Sequence, residues 1–351
     1  MELKMKKSIS FISMIALFLV SCSTDVDIYA DYKDIPVVYG LIESTADTNY
    51  VKITKSYCGS NDNPINALEV APIYDSSNYP GKLNAYIVEL KSSHDQPFCP
   101  TGRKFMLDTV TVHYKEDGLF YSPHQKVYYT TDHFNTNNGS DKYRYRLCVL
   151  KPDYDTVTAE TSVVGGDVML GQTVVSFQSA PSEAVSSMLF TSTEEAVIYE
   201  LGVRFRYRES HTGQPFVNKE IHWSYGARTL GGYEKVENTD NIYRLYYSVN
   251  TLFNYLEKAI GNDTIWDENH PNVVRYIDEV TVFIAAAGED FNNYYQFLQS
   301  AQNGLCLSSD YSNVDGGVGL FSSRIFVRKE VELSSRTKFD LFNMPWGFRE
   351  R

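Results

Sequence analysis

Positive charge is scarce in this chain. Its 351 residues include 32 Lys and Arg against 44 Asp and Glu, which gives a net charge of -12 at pH 7. The first 21 residues carry three lysines and one glutamate, a net charge of +2, so the rest of the chain carries about -14. Because phosphate groups are bound mainly by clustered Lys and Arg, this balance argues against a nucleic-acid partner and against charge-driven binding to an anionic membrane surface.

The familiar spacings of catalytic and metal-binding residues are also missing. No H-x-H, H-E-x-x-H or G-x-S-x-G pattern occurs, and Gly316-Gly317-Val318-Gly319 lacks the Lys and Ser or Thr of a phosphate-binding loop. Asp310, Asn313 and Asp315 do not follow the order of a calcium loop and are typical of a turn. The sequence therefore predicts no catalytic residue, no metal and no cofactor. We expect the seven histidines to be exposed or hydrogen-bonded side chains: His94, His113, His124, His133, His211, His222 and His270.

Cysteine is sparse, with five residues and no C-x-x-C pair, which argues against a zinc ribbon or a thioredoxin-type redox site. Beyond Cys22, the remaining four are Cys58, Cys99, Cys148 and Cys306. They can pair in three ways or stay reduced. Cys148 lies in an alternating, strand-like run, where a buried free thiol is an equally good interpretation.

No apolar run is long enough to span a bilayer, which takes about 20 residues. The longest, Ile9 to Val20, follows Lys4, Lys6 and Lys7 and ends in Leu19-Val20-Ser21-Cys22. A basic segment, a short apolar segment and a small residue before a cysteine are typical of a bacterial lipoprotein signal. We therefore predict a signal peptide over residues 1–21, lipidation of Cys22 and a tether over residues 22–32.

What is abundant is tyrosine, at 27 residues, together with an apolar period of two, which predicts a mainly β chain. Strands are predicted at Ile35–Ile42, Tyr50–Tyr57, Leu83–Leu90, Thr109–Lys115, Lys126–Thr130, Tyr143–Val149 and Thr156–Val164. Their spacing and turns indicate an immunoglobulin-like β-sandwich over residues 33–165, with a boundary at Gly165-Gly166.

The second half, residues 166–351, is predicted to be a β-rich domain with two helices. A hairpin runs from Val203–Arg208 to Ile221–Tyr225, and Val273–Ala286 is predicted to be a buried strand. Helices are predicted at Thr251–Ile260, with Asn250 as N-cap and Gly261 as stop, and at Asp290–Asn303. Arg204, Arg206 and Arg208 share one strand face and could bind an anion. We favour instead a solvent-facing row paired with carboxylates such as Glu220.

Three segments carry a resemblance: Val37–Ile42, Tyr50–Lys55 and, above all, Tyr311–Phe321. There the chain resembles a family of Bacteroidota outer-membrane lipoproteins of uncharacterised function, whose genes tend to lie beside those of TonB-dependent transporters. Tyr145-Arg146-Leu147 and the helix at Asp290–Asn303 are similar to further family features, whereas Gly317 and Val318 depart from the pattern. The resemblance implies no catalytic residues and a transporter partner in nutrient uptake.

Two further patterns resemble Bacteroidota signals. Asp25 and Asp27 resemble an acidic signal for export to the cell surface. Asp-Thr-apolar triplets resemble O-glycosylation acceptors at Thr109, Thr156 and Thr264, although threonines that simply begin strands explain them too. We expect Thr156 and Thr264 to be more accessible than Thr109.

The sequence thus favours a lipid-anchored, cell-surface protein of the outer membrane that binds a ligand or assists a TonB-dependent transporter. The alternative from another class is a structural or adhesive, fimbrillin-like subunit, and a hydrolase is the third hypothesis. The ligand itself stays unknown.

Overall fold

The computed structural model describes residues 35–56, 73, 77–113, 124–152, 155–166, 168–179, 184–261, 263–264, 272–303 and 311–350. It is 52% strand and 14% helix, which confirms the prediction of a mainly β chain. Cys22, Asp25, Asp27, Cys58, Cys306 and the tether at residues 22–32 lie outside the described residues.

The described residues form twenty strands. They are β1 (Pro36–Ile42), β2 (Asn49–Lys55), β3 (Asn84–Ser93), β4 (Cys99–Met106), β5 (Asp108–Val112), β6 (Gln125–Thr130), β7 (Asp141–Leu150), β8 (Thr156–Ser162), β9 (Val174–Val175), β10 (Val185–Thr191), β11 (Ile198–His211), β12 (Val217–Ser224), β13 (Arg228–Thr229), β14 (Glu234–Lys235), β15 (Ile242–Ser248), β16 (Val273–Ala287), β17 (Val314–Asp315), β18 (Val318–Glu330), β19 (Glu332–Leu333) and β20 (Phe348–Arg349).

The first eight strands form two sheets that share one core. One sheet has the order β1-β2-β6-β5 and the other β8-β7-β3-β4. Alternate residues of each strand point inward because successive side chains of a strand face opposite sides. On β7, Tyr145, Leu147 and Val149 are buried, and they meet Val38 and Ile53 of the first sheet in one hydrophobic cluster. The predicted hairpins β1–β2 and β7–β8 are both present.

Helix α1 (Thr251–Ile260), helix α2 (Glu289–Gln302) and helix α3 (Ser335–Asn343) lie in the second half. The first two confirm the predicted helices to within one residue at each end. The third corrects the prediction of two helices. Ser334 caps α3 by accepting a hydrogen bond from the backbone N–H of Thr337. Among the described residues, no helix is long and apolar enough to cross a membrane.

A ten-stranded sheet joins the two halves of the chain, in the order β12-β11-β16-β18-β1-β2-β6-β5, with β13 and β20 at its side. The joint is the parallel pairing of β1 with β18, in which Tyr39 lies opposite Leu320. In addition, β17 pairs with β8 in the second sheet of the sandwich. Strand pairing therefore crosses the predicted boundary at Gly165-Gly166. Two hydrophobic clusters are present, and the one in the sandwich also takes in Val314 and Phe321.

Candidate functional site

The exposed tyrosines of the sandwich lie on the outer face of the long sheet. On β1 and β2, Val38 and Val51 point into the core, so their neighbours Tyr39 and Tyr50 must point outward. The side chains are 45% and 50% exposed, respectively. Tyr50 also approaches Tyr129 of β6, with 6.4 Å between the ring centroids. A row of large aromatic rings thus faces solvent where a sandwich needs only polar side chains.

Helix α2 forms one wall of a groove over these rings. Its apolar residues recur at helical spacing, yet none of its fourteen residues, all of them described, is buried. Tyr294 meets Tyr39 edge to face at 6.4 Å. The groove has a volume of about 490 Å³. We call it the tyrosine groove, and it is lined by Tyr39, Gly40, Leu41, Glu43, Ala46, Thr48, Asn49, Tyr50, Phe291, Tyr294, Leu320 and Arg324.

One end of the tyrosine groove carries opposite charges held in place by the backbone. A carboxylate oxygen of Glu43 accepts from the N–H of Phe326 at 3.1 Å, and the other lies 3.6 Å from Nε of Arg324. Asn49, which is buried, accepts from the N–H of Glu43 and donates to its carbonyl. The turn between β1 and β2 is therefore fixed, and the groove offers an apolar floor with a polar end.

The Tyr311–Phe321 segment holds in place the strand and the helix that line the tyrosine groove. The Asn313 side chain both donates to the carbonyl and accepts from the N–H of Phe321, which is fully buried in the sandwich core. Gly319 has a φ of +124°, and a Cβ there would lie 1.9 Å from the carbonyl oxygen of Val38. The Tyr311 hydroxyl donates to Asp290 at the start of α2. These residues therefore fix β18 and α2 to the sandwich, and their role is architectural.

The arginine row on β11 is paired with carboxylates. Arg206 bonds Glu279 at 2.9 Å and lies 3.9 Å from Glu220, and Arg204 reaches the other oxygen of Glu279 at 3.3 Å. Arg208 bonds Asp278 at 2.8 Å. Anion binding at Arg204, Arg206 and Arg208 would have to displace these partners, so this face is a cross-strand ion-pair ladder. Glu220, the partner expected from the sequence, is the more distant one.

A second cleft, of about 370 Å³, lies between the sandwich and the second half and is acidic. Glu194 pairs with Lys142, and Glu195 accepts from Asn137, so both link the two halves. Burial raises the pKa of Asp290, although the Tyr311 hydroxyl bonded to it acts in the opposite direction. These carboxylates already have partners, and the cleft is a packing contact between the two halves.

The most buried charge of the described residues is Arg275 on β16. Its guanidinium bonds Glu209 and the Asp263 side chain, each at 2.6 Å, and donates to the carbonyl of Trp346. His211 lies 3.3 Å from Glu209 and 3.4 Å from Asp263. Glu209, His211 and Asp263 have the donor set of a metal site. The guanidinium of Arg275 already lies between the two carboxylates and is bonded to both of them.

The remaining predicted residues lie apart from the groove. Thr156 is exposed at the start of β8, as expected, whereas Thr109 and Thr264 are both partly buried. The thiols of Cys99 and Cys148 are free. The structure does not bring the three threonines, the arginine row and the tyrosine groove into one site.

Sequence reasoning missed the tyrosine groove. The signal was present, because Tyr39 and Tyr50 stand at the positions of β1 and β2 where alternation predicts solvent-facing side chains. A single exposed aromatic is ordinary, but a patch of them is informative, and here Tyr39 and Tyr50 lie beside Tyr294. The approach of α2 over them could not be foreseen, since it depends on pairing between strands about 280 residues apart.

No protein-family model and no curated protein matches the chain.

Proposed function

We propose that this protein is a lipid-anchored binding protein of the outer-membrane surface, which holds a small nutrient in its tyrosine groove and works beside a TonB-dependent transporter. The lipoprotein signal and Cys22 support the location. The tyrosine groove is the observation that carries the binding role, because aromatic rings half exposed to solvent, beside a fixed Glu43–Arg324 pair, are the chemistry of recognition.

The size of the tyrosine groove favours a small ligand over a protein. Its volume of about 490 Å³ lies within the range of small-molecule pockets. A stable protein interface would instead bury about 800 Å² on each partner. A ligand with a flat apolar face and polar edges, such as a sugar ring, fits a floor of tyrosines with a charged end. The transporter would then be contacted by another surface.

The strand order supports the proposal that the N-terminal sandwich is immunoglobulin-like. Its sheets, β1-β2-β6-β5 and β8-β7-β3-β4, correspond to the orders A-B-E-D and G-F-C-C′ of that fold. Tyr145 on β7 donates from its hydroxyl to the carbonyl of Asn135 upstream, as the tyrosine corner of that fold does. Such sandwiches commonly serve as binding modules on cell surfaces.

Purification from detergent-solubilised membranes tests the transporter partnership. The lipidated protein should bring a barrel protein with it, and the variant Cys22→Ala should not, since it no longer reaches the membrane. Isolation of the lipidated protein alone would contradict the partnership. Ordered polymers of this chain would favour the alternative of a structural or adhesive subunit.

A further inference from the structure

Two histidines meet at the free edge of the long sheet. Val112, the last residue of β5, pairs with Gln125, the first residue of β6, so His113 and His124 occupy the next position across the two strands. Their Nδ1 atoms are 2.5 Å apart, the ring centroids 4.4 Å apart and the ring planes inclined by 86°. Both residues are exposed. The arrangement is therefore set by the strand register and open to solvent.

Two imidazole nitrogens cannot face each other at this distance with both lone pairs between them. Either one nitrogen carries a proton and donates to the other, or a cation lies between the two. Neutral imidazole nitrogen is the commonest protein ligand for transition metals. From this juxtaposition we propose that His113 and His124 form a surface site for a divalent transition-metal ion, with Cu²⁺ bound more tightly than Zn²⁺.

Imidazole suits both metals, and a given nitrogen site binds Cu²⁺ more tightly than Zn²⁺. Two nitrogens bound at adjacent corners of a square-planar Cu²⁺, each at about 2.0 Å, lie about 2.8 Å apart. The tetrahedral arrangement of Zn²⁺, at about 2.0–2.1 Å, places them roughly 3.3 Å apart. Since the Nδ1 atoms are 2.5 Å apart, the two rings must separate by less to bind Cu²⁺ than to bind Zn²⁺. Exposed side chains can make this movement. Water would complete the coordination, and oxygen-preferring Ca²⁺ and Mg²⁺ would not bind.

This pair is a better candidate than the three-residue cluster at Glu209, His211 and Asp263. There the two carboxylates are bonded to the Arg275 guanidinium, whose positive charge repels a metal ion. At His113 and His124, by contrast, the contact brings together two imidazole nitrogens and no guanidinium. The inference is independent of the tyrosine groove, which lies elsewhere on the sheet.

The test is calorimetric titration of the tag-free lipidated protein, in detergent, with CuCl₂, ZnCl₂ and CaCl₂. We expect one tight Cu²⁺ site, a weaker Zn²⁺ site and no Ca²⁺ binding. His113→Ala and His124→Ala should each weaken Cu²⁺ binding by at least about tenfold. Loss of a residue that only orients a metal ligand already costs about tenfold or more in affinity, and these variants remove a ligand itself. His211→Ala and His222→Ala serve as controls and should leave binding unchanged. His211 lies beside the carboxylates that are bonded to Arg275, and exposed His222 lies opposite Arg204, so a cation is already near each of them.

Electron paramagnetic resonance of the Cu²⁺ complex gives a second readout. Coupling to two equatorial nitrogens, reduced to one in either single variant, is expected. Unchanged Cu²⁺ affinity in both histidine variants would overturn the proposal, as would loss of binding in His211→Ala. Because the histidines are exposed, circular dichroism of the variants should match that of the wild type, so a loss of binding reports on the site and not on folding.

Discussion

Replacing Gly319 by alanine tests how firmly β18 is joined to the sandwich. Gly319 has a φ of +124°, a backbone conformation that costs a residue with a side chain about 1–3 kcal/mol. The added Cβ would also lie 1.9 Å from the Val38 carbonyl oxygen and 2.9 Å from its carbon. Since these are backbone atoms of the paired strand β1, the strands must separate. We expect a total loss of about 4–5 kcal/mol, at the upper end of point-mutant effects.

Gly213→Ala is the matched control. Gly213 also has a positive φ, of +75°, but nothing lies within 4 Å of a Cβ built there. Only conformational strain applies, and about 1–2 kcal/mol is expected. The difference between the two variants therefore isolates the steric contact between β18 and β1.

Urea unfolding of the purified protein measures both effects. With a slope of about 3 kcal/mol per M, Gly319→Ala should lower the midpoint by more than about 1 M and Gly213→Ala by about 0.5 M. Hydrogen exchange should show β1 opening first in Gly319→Ala. Equal midpoints for the two variants would refute the reasoning, because they would mean that the close approach of β18 to β1 contributes nothing.

Three further predictions concern the anchor, the buried charge and modification. Cys22→Ala should move the protein from the membrane pellet to the soluble fraction, because acyl chains supply the anchoring, and retention in the pellet would contradict the lipidation site. Arg275→Met should cost about 3–5 kcal/mol by leaving Glu209 buried without its nearest cation, whereas Arg208→Met, at a partly exposed pair, should cost no more than about 1 kcal/mol. Burial opposes ionisation of Glu209, but the Arg275 guanidinium outweighs burial and lowers the pKa of this carboxyl below the ordinary 4.5. The Glu209 carboxylate therefore stabilises the fold above about pH 4.5. That stabilisation is lost as the pH falls through the folded-state pKa. Arg275→Met should therefore flatten the acid dependence of the urea midpoint below pH 4.5, and an unchanged dependence would contradict this assignment. The mass of the native protein should exceed that of the lipidated polypeptide by the mass of a glycan. Thr156→Val should remove more of this added mass than Thr109→Val, because Thr156 is the more exposed residue. A native mass without any added mass would exclude modification.

Much of the local structure follows from residue pattern. The alternation in β7 and the turn before β8 predicted that hairpin. Asn250 and Gly261 flank α1 as expected, although the Asn250 side chain makes no capping hydrogen bond. Strand β4 was missed because it is almost wholly exposed and has no apolar alternation. Helix α3 was missed for a related reason. Thr337 and Asp340 are two of its three buried residues, and both are polar.

Long-range pairing could not be predicted. The β1–β18 register joins residues about 280 positions apart, and nothing local in either strand specifies its partner or their parallel direction. The tyrosine groove follows from this register. The Asn313–Phe321 contact and the His113–His124 pair join residues only 8 and 11 positions apart, so they are set by local pairing. In the last case the eleven-residue separation matches no metal motif, so the prediction that no metal binds was the natural one from sequence.

Binding of a small molecule in the tyrosine groove is the central claim, and a melting-temperature screen tests it most directly. Three lipidated proteins are each mixed with a panel of mono- and oligosaccharides, amino acids and short peptides: the wild type, the double variant Tyr39→Ala/Tyr50→Ala and the control Tyr246→Ala. Tyr246 lies on β15 and is 49% exposed. A ligand at 100 times its Kd stabilises the folded state by about 2.7 kcal/mol, which amounts to a rise of roughly 4 °C for a protein of this size. We predict at least one compound that raises the melting temperature of the wild type and of Tyr246→Ala but leaves the groove variant unchanged. Compounds that stabilise all three proteins equally, or a panel without any stabilising compound, would contradict the claim.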